Sequence, residues 1–189
     1  MEAARLTRLT DQLLFLSRND EDWIPPRPER TNVQVLLTRC ADRAATRAPA
    51  AGVECHVDVS TDLTAETDPD RVGEAVDNLV DHALRFAPPG TAVVISAVAV
   101  GRDQAIEVAD SDPGFAPQIL PHAFEASRPD SSRARRDGGA GLGLAIVAAL
   151  AQGHGGPAQA RNRQDGEAVG RLELPGTVAR TLSGAEDAR

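Results

Sequence analysis

The chain has 189 residues, 20 basic and 28 acidic side chains and a formal charge of −8, enough for one ordinary domain with a flanking element. Every basic side chain is arginine and none is lysine, which excludes a lysine-based phosphate loop and Schiff-base chemistry, because both require an ammonium group. A net acidic chain with 3% aromatic residues also argues against bulk nucleic-acid binding.

Residues 1–22 read as one helix, with Leu6, Leu9, Leu13 and Leu16 spaced as an a/d seam that Leu14 and Phe15 widen. So short a helix needs packing to be stable. Either a partner helix covers the seam or the helix packs on its own domain. Pro25, Pro26 and Pro28 make a semi-rigid connector over 23–30. Val33, Leu36, Leu37, Cys40 and Ala44 then repeat as one helical face, and Val53–Val59 alternates as a strand.

Asp68 and Pro69 open a second helix as N-cap and first-turn proline. Its buried face is expected to hold Val72, Ala75, Val76, Leu79, Val80 and Ala83. Pro88-Pro89-Gly90 ends it. Strands are expected at Ala92–Val100 and Gln104–Ala109 around a turn at Gly101-Arg102-Asp103. Residues 125–141 carry almost nothing apolar and read as a mobile loop. A helix over Leu142–Ala151 follows, then strands at Ala158–Asn162 and Ala168–Leu174, and a disordered tail at 177–189. The order is α+β, with three helices on a mostly antiparallel sheet. Cys40 and Cys55 lack metal-ligand spacing and read as idle reduced thiols. No apolar run nears the roughly 18–20 residues of a membrane span, and no signal peptide is visible, so the chain reads as soluble and cytoplasmic.

Three local patterns carry chemistry. Asn78, His82 and Arg85 fall at i, i+4 and i+7 and line one helix stripe, which also reads as a solvated face. Asp110 leaves a strand into Ser111-Asp112-Pro113-Gly114-Phe115. A carboxylate there can accept from a ligand amino group while glycine lets backbone approach; the plainer reading is a turn. Gly138-Gly139-Ala140-Gly141-Leu142-Gly143-Leu144 stands where a loop becomes a helix, an arrangement that offers backbone N–H groups to phosphate.

In this order and at these separations the patterns resemble the catalytic, ATP-binding domain of sensor histidine kinases in the GHKL ATPase superfamily. Residues 77–88 resemble the family's N box, 108–114 its G1 box, Phe124-Glu125 the start of its F box, 139–147 its G2 box and His154-Gly155-Gly156 the motif after the next helix. Residues 1–22 resemble the second helix of the dimerisation and phosphotransfer hairpin. The resemblance implies a two-layer α/β sandwich of the GHKL (Bergerat) type at 31–176, preceded by that partial hairpin and the linker. It implies that Asp110 accepts from the adenine amino group and that Asn78 and His82 stand at the positions holding Mg²⁺. Arg85 would meet a phosphate and Phe86 would pack near the purine. Gly139, Gly141, Leu142 and Gly143 would form the hinge of a lid, with Asp112 and Gly114 in the adenine turn.

The sequence departs from the family pattern at four points. His82 replaces an asparagine, and imidazole suits manganese-like or zinc-like ions better than magnesium. Asp112 replaces a glycine and adds negative charge near a polyanion. Ser127 replaces an aromatic of the F box. No histidine stands in the acceptor context of the hairpin's first helix. The implied function is the ATP-binding catalytic component of a two-component kinase that transfers the γ-phosphate to a histidine on a partner chain, docked through Leu6, Leu9, Leu13 and Leu16, with a response regulator downstream. The rivals are a degenerate scaffold with weak ATP turnover and the superfamily's anti-sigma-factor serine kinases.

Overall fold

Asn32 closes the first turn of helix α1 (Val33–Ala44), its Oδ1 accepting from the Val35 N–H at 2.9 Å. The computed structural model describes residues 25–60, 63–111, 114–125, 142–163 and 166–176. The expected helix at 1–22, Asp112, Ser127, the hinge glycines 139 and 141 and the tail at 177–189 lie outside these described residues. The buried face of α1 is the expected one: Val33, Leu36, Leu37, Cys40 and Ala44.

The main sheet has five strands: β2 (Glu54–Val59), β4 (Ala92–Val100), β5 (Asp103–Asp110), β6 (Ala158–Asn162) and β7 (Ala168–Leu174), in the order β2-β4-β5-β7-β6. The β2–β4 pair is parallel and the other three pairs are antiparallel. One face carries the core. Ile95 pairs with Val108 and Ile106 with Leu172, and all four are buried under α1 and two further helices. On the opposite face Glu107 holds Arg161 and Arg171 at 2.8 and 2.7 Å.

Two short elements were not expected. Strands β1 (Glu29–Asn32) and β3 (Thr64–Thr67) pair antiparallel as a separate ribbon, so pairing begins inside the segment read as a connector. Helix α2 (Ala48–Ala51) is a single turn opened by Pro49. Four residues are too few for either periodicity to show. Among the described residues no helix is long and apolar enough to cross a membrane. Both cysteines are free, and burial pushes the Cys40 thiol up to about 12.

Helix α3 (Pro69–Phe86) is the longest among the described residues, and its start is held by one carboxylate. Asp68 accepts from the Arg71 N–H at 3.1 Å and from the Arg27 N–H at 2.8 Å. Burial raises the carboxyl, but those two amides, the Arg71 guanidinium and His154 outweigh it and leave Asp68 below the ordinary value. A carboxyl depressed by folding stabilises the fold above its unfolded pKa, and that contribution is lost as pH falls through the folded one. We therefore expect Asp68→Ala to cost about 1–2 kcal/mol in urea unfolding at pH 7. The gap to the wild type should narrow below the unfolded value of 3.8; a gap that stays constant to pH 2 would refute this role.

Candidate functional site

The chemistry-bearing residues gather at the end of β5, where the sheet meets α3. Asp110 is the last residue of that strand and is 5% exposed. It pairs with Ala168 of β7, which pairs in turn with Asn162 of β6, so the three form one cross-strand row. Above the row, α3 lies close to β7 because Gly170 has no side chain: a Cβ there would meet Leu79 Cδ2 at 2.6 Å.

The space between them is a narrow cleft that opens on one side to solvent. Leu79, His82 and Ala83 line it from α3, and Val108 and Asp110 from β5, with Phe115, Leu144, Ala168 and Gly170 completing it. Its unfilled space is on the order of one water molecule, so a flat ring would enter only as the walls of the cleft part. It is apolar apart from the Asp110 carboxylate and the His82 ring.

His82 is held by two aromatic neighbours. Its ring lies parallel to Phe115 (7°, centroids 5.5 Å apart) and tilted against Phe86 (52°, 4.8 Å). Burial, with a smaller contribution from the Arg85 charge, lowers its pKa to about 4. The imidazole is therefore neutral at pH 7 and has one acceptor nitrogen. Phe86 backs His82 and does not line the cleft.

Asn78 is 6% exposed, which removes the reading of this stripe as a solvated face. Its Nδ2 donates to the Glu74 carbonyl at 2.9 Å. Its Oδ1 faces Gly143, at the start of helix α4 (Gly143–Gly153), where a Cβ would stand 3.2 Å away. Leu142 precedes that helix with no side-chain cap bond, so side chains do not claim the first amides of α4. The Arg85 guanidinium stands 5.7 Å from the Phe86 centroid, and its Nη2 is buried with no hydrogen-bond partner among the described residues.

Gly114 has φ +92, a conformation that favours glycine. Sequence reasoning gave no role to Phe115, Asn162 or Gly170. Asn162 reaches Phe115 across 47 positions, and nothing in either local stretch signals that contact.

A testable consequence concerns His82. Followed by NMR, its ring should titrate near pH 4, and stability should fall as pH drops from 6.5 toward 4, because the unfolded state takes up a proton that the folded state refuses. A His82 midpoint near 6.5 would contradict the packing described.

Comparisons with known proteins agree with this geometry. The family described as histidine kinase-, DNA gyrase B- and HSP90-like ATPases matches residues 67–178. A probable sensor histidine kinase HK of Mycobacterium tuberculosis is 38% identical over 177 residues, covering 92% of this chain and 44% of that relative. The sensor histidine kinase component HK1 of the same species is 37% identical over 142 residues, covering 74% of this chain and 81% of that one. The crystal structure of full-length ShkA in complex with AMPPNP superposes with a TM-score of 0.80 at 28% identity, over 93% of this chain and 36% of that chain. The chain belongs to this ATPase family, and its fold is that of a histidine kinase ATP-binding catalytic domain. It spans less than half of the first relative's length.

Proposed function

We propose that this chain binds ATP in the cleft beside Asp110 and serves as the cytoplasmic catalytic component of a two-component kinase, passing the γ-phosphate to a histidine on a partner chain. The observation that carries the reading is a carboxylate, 5% exposed, lining an otherwise apolar cleft between the sheet and α3. Such a group selects a ligand with an amino group on a flat ring, as adenine has.

The remaining residues fit a nucleotide that enters this way. The Arg85 Nη2, unpaired among the described residues, would find its acceptor in a phosphate oxygen. The amides at Leu142 and Gly143, joined by those of Gly139 and Gly141, would donate to the phosphate tail. Magnesium commonly takes one or two protein oxygens and completes its shell with phosphate and water. Asn78 Oδ1 fits that demand; His82, packed between two phenylalanines, fits the base slot better than the metal. When bound, the ion would neutralise charge on the phosphates. The chain's own residues would orient the tail and leave the attack to an acceptor imidazole. An amide at position 78 cannot act as a base toward water, which favours transfer over hydrolysis.

In this reading none of the described histidines is the acceptor: His82 is packed against two phenylalanines and His154 Nδ1 is bonded to the Leu150 carbonyl, while His56 and His122 stand on the surface beside Glu54 and Glu125. HK1, a relative of comparable length, is itself called a kinase component. The degenerate-scaffold reading rests on His82 standing at a position that would otherwise supply a metal ligand.

Calorimetric titration with AMPPNP tests the proposal. We expect weak binding with Mg²⁺ that Asp112→Gly tightens, whereas His82→Asn removes one wall of the base slot and weakens it. Asp110→Ala should weaken binding at least about tenfold, the scale of losing a charge-assisted hydrogen bond; unchanged affinity would refute the reading. For the partner, Leu9→Arg with Leu13→Arg should abolish association in pull-down with the acceptor-bearing chain while AMPPNP affinity holds. Loss of both would place that helix in the domain core.

A further inference from the structure

Asn162 ends β6, at the edge of the sheet, and the nucleotide reading gives it no task. Its side chain nevertheless makes a closed pair of hydrogen bonds with the backbone of Phe115. The Phe115 N–H donates to Oδ1 at 2.9 Å, and Nδ2 donates to the Phe115 carbonyl at 2.9 Å. The amide thus does for the turn what a neighbouring strand does for a strand residue: it satisfies donor and acceptor together.

The fit is close. A Cβ on Gly114 would fall 2.7 Å from Asn162 Cγ, so the turn rests directly on this side chain. Asp110 ends β5 and Phe115 is fastened to β6, so the two stand at opposite ends of the Asp110–Ala168–Asn162 row. Farther along, the Ala116 carbonyl closes a local turn with Ile119 and Leu120. What the clamp holds is the residue whose ring stacks on His82 at 5.5 Å and lines the cleft with Asp110.

We propose that Asn162 is a positioning residue for nucleotide binding: by gripping the Phe115 backbone it sets the Phe115 ring parallel to His82 and so fixes the wall of the base slot. The proposal rests on the nucleotide reading above. Asn162 touches no reacting group; it acts through Phe115.

The test uses the full chain, Asn162→Ala and the milder Asn162→Ser, whose hydroxyl can make one of the two bonds. AMPPNP affinity is read by calorimetry, folding by urea unfolding, and the stack by the His82 ring-proton shifts, assigned by their loss in His82→Asn. Expected for folded Asn162→Ala is affinity about five- to tenfold weaker, the scale of two modest hydrogen bonds, with His82 ring protons shifted downfield as the ring current of Phe115 is lost. Asn162→Ser should fall between, and either variant suffices if the other does not fold. Unchanged affinity overturns the proposal, whether or not the His82 signals move. Weakened affinity with unmoved His82 signals overturns the route through Phe115. A wild-type chain that binds no AMPPNP refutes the functional reading itself, before any variant is made, and this inference falls with it.

Discussion

Leu79 sits on the bare backbone of Gly170, and the rest of the site depends on that close approach. With a Cβ required to stand 2.6 Å from Leu79 Cδ2, any larger residue at 170 would lift α3 off the sheet or displace the leucine. His82 and Ala83 follow Leu79 within one turn of the same helix, so the height of α3 decides whether the imidazole reaches Phe115 and whether Asp110 lies beneath a roof. Two ion pairs steady the outer flank of that helix, Arg43 to Asp77 at 2.8 Å and Arg47 to Asp81 at 2.9 Å. Being exposed, they add little energy; their arrangement at i, i+4 on both partners resists rotation about the helix axis.

The site also separates its charges. Asp110 is the one acidic side chain among the residues that line the apolar cleft, where a buried polar group of a ligand that fails to match is left unpaired and costs more than it would in water. The neutral His82 adds no competing cation to the slot. Arg85 lies one turn farther along α3, with part of its guanidinium unclaimed among the described residues. In the proposed reading Asp110 would take the amino group of the base, and Arg85, beyond the cleft, a phosphate. A chain without lysine has to perform the second task with arginine, which binds phosphate in a directed, forked geometry.

Much of this was legible in the sequence, and the limits have physical causes. The buried face of α3 was visible because 18 residues give five turns of periodic signal. Strands β4, β6 and β7 lie where alternation and turn residues place them. The ribbon of β1 and β3 escaped notice because each strand has four residues and little alternation. At the site, Asp110 and Asn78 were visible because their motifs are local. The Asn162 clamp and the Leu79–Gly170 contact join residues far apart in the chain and obey no spacing rule. Even the stripe of Asn78, His82 and Arg85 was ambiguous in sequence, since the same pattern describes a solvated face; burial of Asn78 decided it.

The account's central claim is that an adenine nucleotide occupies the slot beneath α3, and a crystal structure grown with AMPPNP tests it most directly. The base should lie beside the His82 and Phe115 rings with its amino group on the Asp110 carboxylate and its phosphates toward Arg85 and the start of α4. A cleft that stays closed in the presence of saturating ligand, or a nucleotide bound elsewhere, would contradict it.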